Sequence, residues 1–239
     1  MSALGRAAVA LGVLLLVVLA AVAAAEWLVR GQVEAVVTDL VQDEVSARGG
    51  SFTSVESSVQ GFALAGLVTG RLEGIRVEAR DGVLEGVPLP AVDLLAEDVA
   101  TDGRSVSSLR ATVRADAAGL VAGRFDPAVA AAVAASVVAL PPDRVRVGGP
   151  FEVPGSGVVP VELELQVRAV DGGIVVEPVA ARASGQDVDL ARVPGLPAFG
   201  VAADELPAGL RVETARVVDD AGRAVVDVGL SCPSGCSLR

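Results

Sequence analysis

The side chains with which this chain could do chemistry are few in kind. Its 239 residues include no histidine, and all 19 basic residues are arginine. Without histidine, Ser-His-Asp and Cys-His catalysis and every histidine-bound zinc site are excluded. The 30 acidic residues could supply a catalytic carboxylate pair, but glycan-handling sites usually need aromatic platforms, and there are only five Phe, one Trp and no Tyr. We therefore expect no enzyme, no metal and no cofactor.

Two cysteines, Cys232 and Cys236, lie near the end of the sequence as C-P-S-G-C. A proline and a glycine between them allow the chain to fold back within disulfide reach. Disulfides persist in oxidising compartments. We therefore predict a Cys232–Cys236 disulfide if the chain is exported; two free thiols on a frayed tail are the alternative.

Residues 7–25 form an uninterrupted run of 19 uncharged, mostly apolar residues between Arg6 and Glu26. A helix of this length measures roughly 28 Å, close to the hydrocarbon thickness of a bilayer, and a positive charge before it favours export of the chain beyond it. The run is either a signal peptide cleaved near Ala25 or a retained transmembrane anchor with Trp27 at the interface. Both alternatives predict residues 26–239 in the cell envelope, at the outer face of the cytoplasmic membrane.

Composition restricts the partners and the core of this exported part. The formal net charge is −11, so phosphate backbones repel the chain and we expect no binding to nucleic acid. Hydrophobic residues make up 52% and aromatic residues 3%, so the core must consist of Val, Leu and Ala. Because valine at this density favours strands, and because no boundary divides the sequence, residues 26–239 are predicted to form one strand-rich domain.

Two segments have the pattern of helices. Residues 26–48 carry valine and leucine at three- and four-residue steps until Gly49-Gly50, which predicts an amphipathic helix packed on a sheet. Residues 128–140 are uncharged, with Asp126 as a plausible N-cap and Pro127 as the first helical residue. A segment that is apolar nearly all round must be buried or face lipid.

The rest of the sequence alternates between apolar and polar residues, as in antiparallel strands with one buried face. The clearest strand covers residues 161–169, and Asp171-Gly172 turns it into a second strand at 174–179. Asp81-Gly82 and residues 219–222 give further hairpin signals. The stretches 148–160 and 192–209 are rich in Pro and Gly and are predicted to be loops. The second of them displays Leu196, Phe199, Val201 and Leu206.

Three stretches, in this order, resemble the LmeA-like phospholipid-binding family of actinobacteria. They are VQGFALAGLVTGRLEGIRVEARDGVLEGVPLPAVDLLAEDV at 59–99, VPVELELQVRAVDGGIVVEPV at 159–179, and LPAGLRVETARVVDDAGRAVVDV at 206–228. The resemblance implies an envelope protein that binds phospholipid, linked in mycobacteria to lipoglycan assembly. It also implies an α+β fold of the tubular, BPI-like lipid-binding type. In such a fold a curved, mostly antiparallel sheet packs on the long N-terminal helix, and the second apolar helix completes the core.

A lipid site needs a groove lined by groups that do not form hydrogen bonds, because each buried methylene contributes about 0.8 kcal/mol. Small Val and Ala walls leave room for acyl chains. The candidates from the first block are expected to face those from the second helix and the central strand. They are Phe62, Leu64, Leu67, Leu72 and Ile75, then Val129, Val133 and Val137, then Leu163 and Leu165.

A phosphate head group needs a donor, and Arg71, Arg76 and Arg80 lie near the apolar patch of the first block. The arginine fork suits a phosphodiester, although solvated arginines that balance nearby carboxylates are the plainer interpretation. The negative net charge opposes adhesion to an anionic leaflet, which favours chain insertion as the binding force. The alternative function is a non-enzymatic envelope adaptor that binds another protein and no lipid.

Overall fold

The computed structural model describes residues 3–47, 49–84, 86–102, 105–122, 127–153, 157–190, 198–206, 209–233 and 235–237, with the backbone alone at 3–19, 122, 127–129, 152–153 and 236–237. Within these residues the chain is α+β, with four helices and two antiparallel sheets. The helices are α1 (Ala3–Ala47), α2 (Ala63–Thr69), α3 (Ala117–Ala122) and α4 (Pro127–Ala134).

The first sheet has the strand order β1-β2-β3-β4-β12-β11, with β13 beside β4. Its strands are β1 (Ser51–Gln60), β2 (Arg71–Leu84), β3 (Val87–Ala100), β4 (Ser105–Asp116), β11 (Arg211–Asp220), β12 (Arg223–Cys232) and β13 (Cys236–Ser237). Strands β2, β3 and β4 are neighbours in chain order because short turns join antiparallel strands. The last three strands return to this sheet after the second sheet is complete.

The second sheet has the order β10-β8-β7-β6-β5, with β9 beside β8. Its strands are β5 (Val138–Leu140), β6 (Arg144–Val153), β7 (Gly157–Val170), β8 (Gly173–Ala183), β9 (Gln186–Asp187) and β10 (Phe199–Val201). The predicted hairpins at Asp171-Gly172 and at residues 219–222 are confirmed, since β7 pairs with β8 and β11 pairs with β12 across them.

The N-terminal run and the predicted amphipathic helix are one continuous helix, α1, which ends before Gly49 at φ +70°. From Val29 onward, valines at four-residue steps pack against the first sheet. The opposite side of α1 is exposed, as at Val36 and Leu40. No helix among the described residues is both long enough and apolar enough to cross a membrane.

The second predicted helix is shorter than expected. α4 ends at Ala134, and Val138–Leu140 forms β5, whereas the sequence pattern predicts a helix over 128–140. Ser136 interrupts it: its hydroxyl donates to the Val133 carbonyl at 2.9 Å and accepts the Gly148 N–H at 2.8 Å. A serine side chain that bonds to the backbone competes with helix continuation. The predicted N-cap, Asp126, lies outside the described residues.

Two turn and loop predictions are wrong. β2 continues through Asp81-Gly82 to Leu84, and a Cβ on Gly82 would lie 2.2 Å from the Phe52 ring, so this glycine serves packing. Residues 148–153 and 157–160 are strand, because β6 and β7 pair as far as Val153 opposite Gly157, with Pro150 opposite Pro160 on the way. Prolines are tolerated there because this end of the hairpin extends beyond β5 and β8.

One apolar face of the first sheet is covered by two different elements. At β1 and β2 its residues lie under α1, as Val55 and Val77 do. At β11 and β12 they lie against the second sheet, as Val217 and Val226 do. Cys232 lies in the part of the first sheet that α1 covers, and it is fully buried and disulfide-bonded. The only other cysteine in the sequence is Cys236, whose side chain is outside the described part.

Candidate functional site

The largest apolar cluster lies between the two sheets, and we call it the inter-sheet region. It contains the buried residues Leu163 and Val167 of β7, Val145 of β6 and Val226 of β12. Pairing registers align its inner side chains. Val167, Val176 and Phe199 are neighbours across β7, β8 and β10. Alternation along each strand thus places one row of apolar side chains inside.

A cavity of about 100 Å³ lies in the inter-sheet region. Its lining consists of aliphatic side chains, one phenylalanine and one glycine. The residues are Ala117, Leu120, Val121, Val145, Val167, Ile174, Val176, Phe199, Gly200, Val201 and Val226. With no charged or hydrogen-bonding side chain in this lining, the cavity can accept hydrocarbon but offers no side-chain partner to a polar group.

Strand β10 separates this cavity from the outside. A surface groove of about 430 Å³ shares Ile174, Phe199, Gly200 and Val201 with the cavity. It continues along residues 170, 171, 198, 202, 203 and 205. Gly200 is exposed, and β10 pairs only with β8 among the described strands. The wall between the cavity and the solvent is therefore a three-residue edge strand.

Backbone hydrogen bonds from β11 join the two sheets directly. The Val212 N–H donates to the Gly172 carbonyl and the Val217 N–H donates to the Pro142 carbonyl, both at 2.8 Å. At the cavity, Asp116 accepts the Ala118 N–H at 2.7 Å and so caps α3, which carries Leu120 and Val121. The two sheets are thus joined along β11, while α3 and β10 border the cavity.

Comparison with known families identifies a family to which the sequence belongs. Residues 20–226 match the family model described as LmeA-like phospholipid-binding. The chain belongs to this family. The matched stretch includes every residue that lines the cavity. Neither the search of curated proteins nor the search of solved structures gave a match.

The lipid-binding residues predicted from the sequence lie in two separate parts of the structure, the inter-sheet region and the part of the first sheet near α1 and α2. Val133, Val137, Leu163 and Leu165 belong to the inter-sheet region, in the packed part beside the cavity. The helical residue Val129 has a side chain outside the described part. None of the ten predicted residues is part of the described cavity lining.

The five candidates from the first block lie at the α1 end of the first sheet. Leu72 is buried there and Ile75 is half-buried. Leu64 is half-buried, whereas Phe62 and Leu67 are exposed. The expectation that this set faces the inter-sheet set is wrong, because α1 covers the first sheet at β1 and β2 and the second sheet covers it at β11 and β12.

The three predicted head-group arginines each pair with a carboxylate. Arg71 forms an ion pair with Asp98 and also donates to the Asp98 carbonyl at 2.8 Å; its hydrogen bond to this carboxylate raises the pKa of Arg71. Arg76 and Arg80 both pair with Glu78, at 2.9 and 3.2 Å. None of the three is among the described cavity-lining residues.

The sequence interpretation missed the elements that form the cavity. Ala117, Leu120 and Val121 lie on α3, a helix too short to give a clear period in the sequence. Phe199 and Val201 stand out as apolar residues within a predicted loop, which is the one usable signal. Their place beside β8 depends on a pairing between distant segments that the pattern does not encode.

Proposed function

We propose that this protein binds phospholipid by placing acyl chains between its two sheets, at the cavity behind β10. The observation that carries the proposal is a cavity lined by apolar side chains and glycine in a member of a family described as phospholipid-binding. Transfer of hydrocarbon from water into such a space is favourable by about 0.8 kcal/mol for each methylene.

The size of the cavity indicates how a chain would enter. Ligand pockets usually measure roughly 300–1,000 Å³, whereas this cavity measures about 100 Å³. The cavity as it stands accepts the end of an acyl chain, and the remainder needs the adjoining groove or a wider separation of the sheets. Because β11 joins the sheets by backbone hydrogen bonds, the separation would occur at β10.

We place this binding outside the cytoplasmic membrane, in the cell envelope, where the lipid would support envelope-lipid or lipoglycan assembly. Two features support this location. The uncharged run of residues 7–25 follows Arg6 and has the length of a signal peptide or an anchor. Cys232 is disulfide-bonded, which fits an oxidising compartment.

The test is direct measurement of bound lipid. The full chain is purified, extracted with organic solvent and examined by mass spectrometry for phospholipid. Val176→Phe puts a larger side chain into the cavity beside Phe199, and we expect it to lower the lipid-to-protein ratio several-fold. Val179→Phe is the matched control, since Val179 lies on the same strand and is 38% exposed, and it should leave the ratio unchanged.

Two results would overturn the proposal. One is a protein that carries no phospholipid and takes none from labelled liposomes, as expected for an adaptor that binds another protein. The other is equal lipid in Val176→Phe and Val179→Phe, which would place the lipid elsewhere. Circular dichroism of both variants shows whether Val176→Phe has kept its fold, because overpacking a core is destabilising.

A further inference from the structure

Helix α2 buries two small residues and exposes two large apolar ones. Ala63 and Gly66 are buried, whereas Leu67 is 48% exposed and Val68 is 84% exposed. A Cβ on Gly66 would lie 2.5 Å from the Leu72 side chain and 3.0 Å from the Arg71 carbonyl oxygen, so a larger residue would force Leu72 or the helix to shift. In a helix that packs on the core and otherwise faces only water, the large apolar residues are buried and the small ones are exposed.

More apolar surface lies at the same end of the molecule, where α2 begins beside α1. Trp27 is 77% exposed, Leu28 on α1 and Phe62 before α2 are also exposed, and residues 61–70 carry no charge. We call the residues Trp27, Leu28, Phe62, Leu67 and Val68 the apolar end. Clustered large apolar residues of this kind mark an interaction surface.

Hydrogen bonds fix the apolar end in one arrangement. The Glu26 carboxylate accepts the N–H groups of Ala63 and Leu64, at 2.7 and 2.8 Å. Arg30, one turn further along α1, donates to the carbonyls of Val59 and Gly61, at 3.1 and 2.6 Å. Ion pairing joins Glu26 to Arg30 at 3.2 Å. These bonds therefore hold α1 and the start of α2 in a fixed relative position, with the exposed side chains of both at the same end of the molecule.

We propose that the apolar end docks into the surface of a phospholipid bilayer. Helix α1 continues from this surface into the uncharged run of residues 7–25, so the longest apolar segment of the chain leads away from the same end. Tryptophan favours the boundary between head groups and acyl chains. With a net charge of −11, attachment depends on insertion of apolar side chains and not on attraction to anionic lipids.

This docking surface is distinct from the inter-sheet cavity, to which none of its five residues contributes. Docking would hold the protein against the membrane from which lipid is taken or to which it is delivered. Lipid binding in the cavity and docking by the apolar end can each fail without the other.

The experiment places a fluorescent reporter in α2. The full chain carrying Trp27→Phe and Leu67→Trp is reconstituted with phosphatidylcholine vesicles, with and without brominated acyl chains, so that its emission comes only from position 67. We expect the brominated lipid to quench this emission. Val158→Trp in the same Trp27→Phe background, with Leu67 unchanged, is the matched control, because Val158 is 70% exposed on β7, and it should not be quenched.

A second change tests whether insertion depends on apolar character. Val68→Asp added to the Leu67→Trp protein should abolish the quenching, whereas Val158→Asp added to it should not. Emission at position 67 that brominated lipid leaves unchanged would overturn the proposal. A blue-shifted but unquenched emission, with a larger particle in sedimentation, would assign the surface to a second copy of the chain instead.

Discussion

The inter-sheet region and the α1 end of the first sheet are both apolar, but they are held in different ways. At the α1 end, directional hydrogen bonds accompany the packing: Glu34 accepts the Val59 N–H at 3.0 Å, and the Ser57 hydroxyl donates to the Glu34 carbonyl at 2.6 Å. In the inter-sheet region the buried residues are aliphatic or aromatic, and a cavity remains among them.

The difference separates a fixed part of the molecule from an adaptable one. Hydrogen bonds have preferred distances and angles, so the helix has one position on the sheet. Hydrophobic burial is non-directional and depends on the apolar area removed from water. The proposed lipid binding uses this property, because it would exchange contacts between side chains of the inter-sheet region for contacts with an acyl chain. Four predictions test this contrast, in order of decreasing effect.

The largest effect on stability is expected from a substitution that creates a new cavity in the packed part of the inter-sheet region. Leu163 is fully buried, and Leu163→Ala should lower the free energy of unfolding by about 2–5 kcal/mol. Urea denaturation measures this change. Val158→Ala on the same strand should change it by less than about 0.5 kcal/mol. Equal effects would mean that the inter-sheet region is not the stabilising core.

Weakening the contact between Glu26 and the start of α2 should affect only the residues near that contact. Glu26→Gln leaves one acceptor oxygen for the two N–H groups of Ala63 and Leu64, so amide exchange at these residues should become roughly tenfold faster. Exchange at Val176, in the inter-sheet region, should not change. Asp39→Asn, at an exposed position of α1, is the matched control; if it has the same effect, the contact to α2 does not hold the helix.

Protonation of Glu26 at low pH should weaken the same contact in the unsubstituted protein as the Glu26→Gln substitution does. Desolvation raises the pKa of Glu26, but the N–H groups of Leu64 and Ala63 and the Arg30 guanidinium outweigh it and hold this pKa below its ordinary value of 4.5. The stabilisation is therefore complete above pH 4.5 and is lost as the pH falls through the lowered pKa. The amide NMR shifts of Ala63 and Leu64 should titrate with a midpoint below 4.5, and this titration should vanish in Glu26→Gln.

The smallest effect is expected on the polar face of the first sheet. The side chain of Arg76 is 51% exposed and pairs with Glu78. Because exposed ion pairs contribute about 0–1 kcal/mol, Arg76→Gln should change the free energy of unfolding by no more than that. Its lipid-to-protein ratio should equal that of the unchanged protein. A clear loss of lipid would restore Arg76 as a head-group ligand.

The fold class could be predicted because short-range patterns carry it. Alternation over residues 161–169 and the glycine turn at 172 predict the β7–β8 hairpin, and four-residue spacing predicts the inner stripe of α1. The patterns failed where a tertiary contact overrides them. Ser136 divides an apolar stretch into α4 and β5, and Gly82 makes room for Phe52 within a strand.

The sequence by itself determined the composition and the local patterns of this protein. These are a valine-rich interior, the absence of histidine chemistry, an uncharged N-terminal run and a family pattern of glycine and apolar residues. Only the tertiary structure decided which apolar residues surround empty space and which fill the core. The physical reason is that hydrophobicity is a property of each side chain, whereas a cavity depends on the distance between segments such as α3 and β10, which lie far apart in the chain. The same holds for Glu26, whose partners are 37 and 38 residues away.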